Sequence, residues 1–582
     1  LRLQEPISTL YYEGRVGQAS YSCPDGIING EILLKRQFEI ENRRLLSYND
    51  IDITFDEELL KPYLSVSSNT RLKNIIATIQ SEQNRIIRAG LLKPLIVQGA
   101  AGSGKTTVAL HRIAYLIYAT TIKPEQFLII APNAIFLDYI SNVLPDLGVE
   151  NVHQKTFDSF AQNFIGKKLK IEDPGEKLNR ILDEKNADEE ISASGFKSSL
   201  LFRDVIERYL KDLEKEQLPR EHFCVGRHVL CSYGKIFGLF TKEYAGFSFS
   251  KRMNFIKERL VNLIADNANR VIAKIDVERR LRISELPDSL SAEEYKKQKQ
   301  QIYEQDEDAV HDLLTGGKNA LKAYFKKIKL PTALECYHRL ISDPEILKKY
   351  ASTANTEILS FLSSRSQKIK TGYVEYEDLA PLMYLHYRIH GVKQGLSIRH
   401  VIIDEAQDLS AFQFFVLKEV LECSSMTILG DIAQGIYSYR GTGNWGSVAD
   451  KIFGSDCEYA TLQKSYRSTV EIMGQANRVI SKLSGFQESA AAEPVIRNGD
   501  PVRYIKANSE KEIVAGIAER IKQLRGKGFK NISVICKTMR GCEAFAKLLK
   551  KYISEFTVIS GKEYSGGVSI VPSYLVKGLE FD

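Results

Sequence analysis

One stretch constrains this chain more than any other: Leu95 to Tyr118, LIVQGAAGSGKTTVALHRIAYLIY. The apolar run Leu95-Ile96-Val97 reads as a buried parallel strand. It runs into Gly99-Ala100-Ala101-Gly102-Ser103-Gly104-Lys105-Thr106, which fits G-x-x-x-x-G-K-[ST] without a mismatch. Val108, Leu110, Ile113, Leu116 and Ile117 then recur at helical spacing. The glycines allow backbone N–H groups to wrap a phosphate without Cβ clashes. The helix N-terminus adds a partial positive charge. Lys105 is placed to reach β- and γ-phosphates, and the Thr106 hydroxyl to ligate Mg²⁺.

Strand–helix alternation continues through FLIIAP (127–132), a helix from about Ala134 to Val143 and a strand near Val149–His153. That order predicts a parallel α/β sheet. Residues 400–408, HVIIDEAQD, return to it: Val401–Ile403 form a strand that ends on Asp404-Glu405. Ligands bind at the carboxyl ends of parallel strands. Asp404 is expected to hold Mg²⁺, and Glu405 to orient and deprotonate an attacking water. Residues 426–441 repeat the pattern, with Gln434 placed to sense a γ-phosphate. Arg467, after Tyr466, would face the phosphate loop and neutralise transition-state charge.

Residues 500–582 read as a second α/β unit. Its strands are expected at Val502–Ile505, Ile532–Cys536, Thr557–Ile559 and Val568–Val571. A capping box, Ser509 with Glu512, precedes an apolar helix face of Ile513, Ile517, Ile521 and Leu524. Residues 1–68 read as a small β-rich module, with Asn29-Gly30 as a hairpin turn. Residues 165–392 are rich in Lys and Glu at helical periodicity and read as a helical insertion. Its acidic run Asp306, Glu307, Asp308 and Asp312 is expected on a solvated face. The division is therefore 1–68, 69–164 and 393–464 as one sheet domain split by 165–392, and 465–582.

A chain of 582 residues exceeds what one core supports. A net charge of +7 permits nucleic-acid binding without arguing for it. Eight scattered cysteines with no C-x-x-C pair point to reduced thiols and a cytoplasmic setting. No apolar run is long enough for a membrane span. With no Met or signal sequence at Leu1, and an apolar run just before Asp582, both ends are expected to be cut.

Taken in order, the motifs resemble superfamily 1 helicases of the UvrD/Rep type. SEQNRII (81–87) is similar to their adenine-reading Q motif, GAAGSGKT to motif I, and APNAIF (131–136) and TFDSF (156–160) to motifs Ia and Ib. DEAQD (404–408) resembles motif II, GDIAQGIYSYRG (430–441) motif III, SYRSTVEI (465–472) motif IV and VPSYLVKGLEFD (571–582) motif V. LKRQ, ATIQSEQNRIIR and YEDLAPLMYLHYRIHGV resemble the HelD group, helicase-IV-like proteins that bind bacterial RNA polymerase.

The resemblance implies an α/β fold in which two RecA-like parallel-sheet domains clamp one ATP with Mg²⁺. It implies Gln83 at the adenine and Tyr466 stacked on it, Lys105, Thr106, Asp404 and Glu405 at phosphate, metal and water, and Gln434 and Arg467 at the γ-phosphate. Glu580 would approach from the second domain. It implies an ATPase that remodels or releases RNA polymerase core, or alternatively a 3′–5′ helicase on single-stranded DNA. Thr107 stands where many UvrD-type proteins carry a base-contacting Arg. Ala131-Pro132 precede Asn133 where a base-stacking aromatic is usual. Stacking contributes about 1–3 kcal/mol per base, so Tyr437, Tyr439 and Trp445 become the candidates to supply it beside Asn133. Motif VI would follow Asp582, and a chain without it is expected to bind ATP but hydrolyse it poorly.

Overall fold

The computed structural model describes residues 7, 10, 16–23, 26–41, 44–50, 81–183, 187–226, 228–287, 291–392, 397–454, 456–465, 467–482, 492–494, 498–560, 566–577 and 581–582. At the N-terminal end lie two antiparallel hairpins, β1 (Gly17–Cys23) with β2 (Gly26–Ile32), and β3 (Arg36–Glu41) with β4 (Arg44–Asp50). Asn29-Gly30 is not the turn: it lies inside β2, opposite Ser20 and Ala19. The strands are joined at the Cys23↔Gly26 pair, where Gly26 takes a φ of 118°.

The main sheet has six parallel strands: β5 (Leu95–Gly99), β6 (Phe127–Ala131), β7 (His153–Thr156), β8 (His400–Ile403), β9 (Met426–Gly430) and β10 (Glu458–Leu462). Their order is β10-β5-β9-β8-β6-β7. β7 falls a few residues later than expected, because its register pairs His153 with Leu128 and Thr156 with Ala131. Central strands buried on both faces read as unbroken apolar runs, and β5, β6, β8 and β9 are buried throughout. Val97, Ile129, Ile402 and Leu429 face one core together with Val108, Leu110 and Ile113 of α1 (Lys105–Ala119) and Ile140 of α2 (Ala134–Asp146). Ile96, Ile130, Val401 and Ile428 face the other.

That second core runs on into the insertion without a break. Phe157, Phe160 and Phe164 of α3 (Phe157–Ile165), Phe202, Ile206, Tyr337 and Leu340 belong to one cluster with the sheet residues. The helices of residues 165–392 include α4 (Pro174–Asp183), α5 (Ala187–Ser198), α6 (Phe249–Ser284), α7 (Ala292–Lys326) and α8 (Leu379–His390). α6 and α7, of 36 and 35 residues, pair as a projecting hairpin roughly 50 Å long. Asp306 is not on a solvated face: it is buried between the two, 2.7 Å from Arg279 Nε and 2.5 Å from Arg282 Nη2.

The chain returns through β8 to α9 (Ala411–Leu421), then β9, α10 (Trp445–Phe453) and β10. After α11 (Val470–Ile480), α12 (Glu510–Gly526) and α13 (Met539–Leu549) pack on a parallel sheet ordered β11 (Ile532–Cys536), β13 (Val568–Pro572), β12 (Thr557–Val558). Residues 501–507 form no strand. The buried face of α12 is Val514, Ala518 and Ile521, with Ile517 and Leu524 packed partly buried against the same core; of the expected stripe Ile513 alone turns out, at 45% exposed. Ser509 caps the helix from Glu512 N–H, while the Glu512 carboxylate accepts from Asn508 N–H, so the box closes one residue early.

Two buried polar residues tie the lead-in helix to the sheet. The Arg112 guanidinium donates to the carbonyls of Ile86, Ile87, Ala89 and Gly90 and to Thr427 Oγ1. Thr427 Oγ1 also lies 3.0 Å from His400 Nε2, and Ser425 Oγ 2.8 Å from His400 Nδ1. Burial, and then the Arg112 charge, push the His400 pKa down to about 3. The fold binds the neutral imidazole, so this stabilisation is complete above the unfolded pKa and is lost as pH falls below it. Unfolding free energy should drop by ~1.4 kcal/mol per pH unit below about 6.5 from this residue. Denaturant titrations at about pH 7 and 5 should show a shallower drop in His400→Asn.

Candidate nucleotide site

The carboxyl edge of the six-stranded sheet gathers the polar residues. β5 ends on the loop 99–104, and Gly104, with φ 80° and ψ 24°, starts α1. Gly102 has a φ of 72°, and a Cβ there would sit 2.7 Å from Arg467 Cβ and 2.9 Å from Ser465 Oγ. The loop is therefore lidded by the segment that leads to the second sheet. Ala100 N–H donates to Leu462 O at 2.9 Å, and Ala100 packs with Met473 of α11 and Ala492. Arg467 thus stands across from the phosphate loop, with an exposed side chain. Tyr466 and Glu580 lie outside the described residues.

Lys105 Nζ donates to Gly99 O at 2.9 Å and Ala100 O at 3.2 Å, within the curl of the loop. Ser103 is buried with no partner for its hydroxyl among the described residues. Ala101 is exposed, and Thr107 is half-buried on the first turn of α1. Gln83, from the helical residues 81–87, lies against the loop with Nε2 3.5 Å from Ser103 O. Thr106 Oγ1 donates to Asp404 Oδ2 at 2.7 Å, which joins the ends of β5 and β8.

Burial, and then the charge of Glu405, raise the Asp404 pKa to about 6, against hydrogen bonds from Thr106 and the Glu405 N–H. Glu405 adopts a left-handed φ of 51°. A side chain held there costs of order 1 kcal/mol, and such strain clusters at functional sites. Burial alone would raise its pKa, but Lys577 and Lys105 hold it below the usual carboxylate range. Lys577 Nζ lies 3.2 Å from Glu405 Oε2 and 2.7 Å from Asp408 Oδ2. One ammonium serves two buried carboxylates, and burial outweighs it at Asp408, whose pKa is raised.

A polar chain connects these groups along the sheet edge. Gln407 Nε2 donates to Glu405 Oε2 at 2.7 Å, and Gln407 Oε1 accepts from Asp431 N–H at 2.9 Å. Asp431 accepts from Gln434 Nε2 at 2.6 Å and Gln98 Nε2 at 2.9 Å. Gln98, Gln407 and Lys577 carry no weight in the sequence reading. Two of them left a trace there: Gln98 is the polar residue in an apolar strand, and Gln407 sits inside DEAQD.

The structure fits a Mg²⁺-nucleotide here. The curl would be filled by any Cβ at Gly99, 2.6 Å from Lys105 Cγ, and the Thr106 hydroxyl with the Asp404 carboxylate forms a hard oxygen donor pair.

Two of the three base-stacking candidates are buried. Trp445, the single tryptophan, is fully buried and donates from Nε1 to Gln98 Oε1 at 2.6 Å. It is a core residue because the opening at Gly430, whose Cβ would lie 2.8 Å from Trp445 Cζ2, admits its ring under β9. Tyr439 is buried beneath α4 with Leu178 and Tyr574. Tyr437 is half-buried, with the Arg440 guanidinium 4.2 Å from its ring. Asn133 caps α2, accepting from Phe136 N–H at 2.9 Å.

Residues 79–445 match the family model of the UvrD/REP helicase N-terminal domain, and residues 460–564 that of the UvrD-like helicase C-terminal domain. Curated relatives are similar over shorter stretches. The probable DNA helicase II homolog of Mycoplasma capricolum is 24% identical over 259 residues, 42% of this chain and 35% of that protein. The ATP-dependent DNA helicase PcrA of Staphylococcus aureus is 22% identical over 169 residues, 28% of this chain and 23% of that protein. The matched stretches thus span about a third or less of these relatives.

Two substitutions separate structural from ligand-facing roles. Gly102→Ala places a side chain at positive φ and against Arg467, and should cost about 1 kcal/mol or more in unfolding free energy together with nucleotide affinity by fluorescent-ADP titration. Trp445→Phe removes the shorter of two hydrogen bonds to the Gln98 carbonyl oxygen, leaving that from Ile432 N–H, and should cost about 1 kcal/mol of stability or more with single-stranded DNA affinity unchanged in an anisotropy assay.

Proposed function

Because this chain belongs to the UvrD/REP helicase family, we propose that it is a Mg²⁺-dependent ATPase motor that works on DNA. The observation that carries the reading is the contact of Gly102 with Ser465 and Arg467, in the same loop that leads into Lys105 and the Thr106–Asp404 bond. It supports a nucleotide site between the first sheet and the segment leading to the second. The relatives' names as DNA helicases support DNA as the substrate.

In this reading the loop N–H groups and Lys105 bind the phosphates, and Gln83 contacts the base. Tyr466 stacks on the base, and Glu580 approaches from the second domain. Thr106 and Asp404 hold Mg²⁺, which when bound screens the phosphate charge. Glu405, kept ionised by Lys577 and Lys105, accepts the proton of a water that Gln434 helps to orient. Arg467 supplies positive charge from the far side of the loop. Asn133, whose side-chain carbonyl oxygen caps α2, would touch the DNA backbone rather than a base.

A second reading, remodelling of bacterial RNA polymerase core by a protein of the HelD group, is favoured by a specific observation. Tyr439 and Trp445 offer no stacking face, while the α6–α7 hairpin projects from the insertion. No helix among the described residues is long and apolar enough to cross a membrane; a cytoplasmic setting is part of the proposal.

ATP turnover should be abolished, by about 10²-fold or more, in Lys105→Ala and in Glu405→Gln. Turnover stimulated by single-stranded DNA would support the DNA motor. Unstimulated turnover with stable co-elution of polymerase core would move the assignment to the remodelling ATPase.

A further inference from the structure

One buried charge of the insertion faces the loop that leads from β9. Glu377, in the turn before α8, is 4% exposed, and its Oε2 accepts from Lys177 Nζ of α4 at 3.0 Å. Its other oxygen, Oε1, faces Arg440 Nη1 at 3.5 Å without a hydrogen bond. Arg440 is itself buried, and its guanidinium lies 3.9 Å from the Tyr376 ring and 4.2 Å from the Tyr437 ring. A guanidinium packed on two rings and facing one carboxylate has little freedom of position.

Arg440 ends the loop that begins at Asp431 and carries Gln434. The next residue, Gly441, has no room for a Cβ, which would lie 2.5 Å from Gln407 O. Thr442 N–H donates to that same carbonyl at 3.1 Å. Gln407 in turn holds Glu405 and the Asp431 N–H. A run of contacts therefore leads from the insertion to the water-activating carboxylate: the Glu377–Arg440 ion pair, the backbone from Arg440 to Thr442, then Gln407 and Glu405.

We propose that Glu377 is a positioning residue for ATP hydrolysis: through Arg440 it sets the loop that holds Gln434, so that displacement of the insertion by a bound partner changes the rate of turnover. The proposal rests on the ATPase reading above. Glu377 touches no reacting atom and is not among the residues that bind the nucleotide in that reading.

Asp378 is the control. It belongs to the same buried charge cluster but bonds inward, to Lys197 Nζ and the Tyr337 hydroxyl. Trp445 supplies a spectroscopic readout, since its indole N–H binds Gln98, which shares Asp431 with Gln434. Glu377→Gln keeps the shape and removes the charge. It should lower kcat about tenfold while KM for ATP stays within about twofold, and should shift the Trp445 emission of the nucleotide-free protein. Asp378→Asn should lower the melting temperature and leave kcat and emission near wild type. If Glu377→Gln does not fold, Arg440→Lys, which keeps the charge but loses the planar stacking, should show the same split. Wild-type kcat and emission in Glu377→Gln would overturn the proposal, as would losses in both variants that follow their melting temperatures. Wild-type protein with no turnover sensitive to Lys105→Ala would overturn the ATPase reading instead, and the emission of Glu377→Gln would still decide whether Glu377 sets the loop.

Discussion

A single hydroxyl–carboxylate bond, from Thr106 to Asp404, joins two segments 298 residues apart, and the rest of the molecule serves to make it possible. The bond needs β5 and β8 in one parallel sheet with a fixed register, one strand apart across β9. That register depends on apolar runs too regular to slip, with alternate residues committed to two different cores. It also needs the intervening insertion to return the chain to the correct edge. Cα geometry near Glu405, forced left-handed at the end of β8, is the local cost of turning the chain there.

Much of this was legible in the residues, for a physical reason. A phosphate loop is built from backbone N–H groups and glycine conformations, so the pattern Gly99–Thr106 carries its own geometry, and the apolar runs before Asp404 and Asp431 carry theirs. Lys577 was not legible, because its role comes from a tertiary contact between distant segments, and a lysine in sequence reads as solvated. Trp445 misled for the opposite reason. An aromatic near a helicase-like loop suggests a stacking face, but burial is decided by whether a glycine such as Gly430 leaves room for the ring. Asp306 failed the same way: a charge on a long helix looks exposed until a second helix supplies Arg279 and Arg282, while its neighbours Glu307 and Asp308 are exposed as expected. The α12 stripe held at Ile517, Ile521 and Leu524 and failed only at Ile513, where Val514 takes the core position in the first turn.

The buried charges of the insertion fit one account. Glu375 lies well below the usual carboxylate range, since Lys197 and Lys177 outweigh its burial, while burial raises Asp378 despite a 2.6 Å contact with Lys197. Two lysines and three carboxylates, Glu375, Glu377 and Asp378, share one small volume. Ion pairs of this kind add little net stability over an apolar core, but removing one partner is costly. They therefore fix one arrangement of helices against the motor sheet rather than strengthen it.

The apolar cluster that runs from Ile96, Ile130, Val401 and Ile428 through Phe157 and Phe202 to Tyr337 and Leu340 has a consequence for how this protein can be divided. One face of the sheet is covered by α3, α9 and α10 together with the insertion. The two parts share one core, and a chain trimmed of residues 165–392 would expose the apolar side chains of α3, α9 and the sheet that Phe202, Tyr337 and Leu340 now cover. Any force applied at the far end of the helical hairpin is borne by the same side chains that keep the catalytic strands in register.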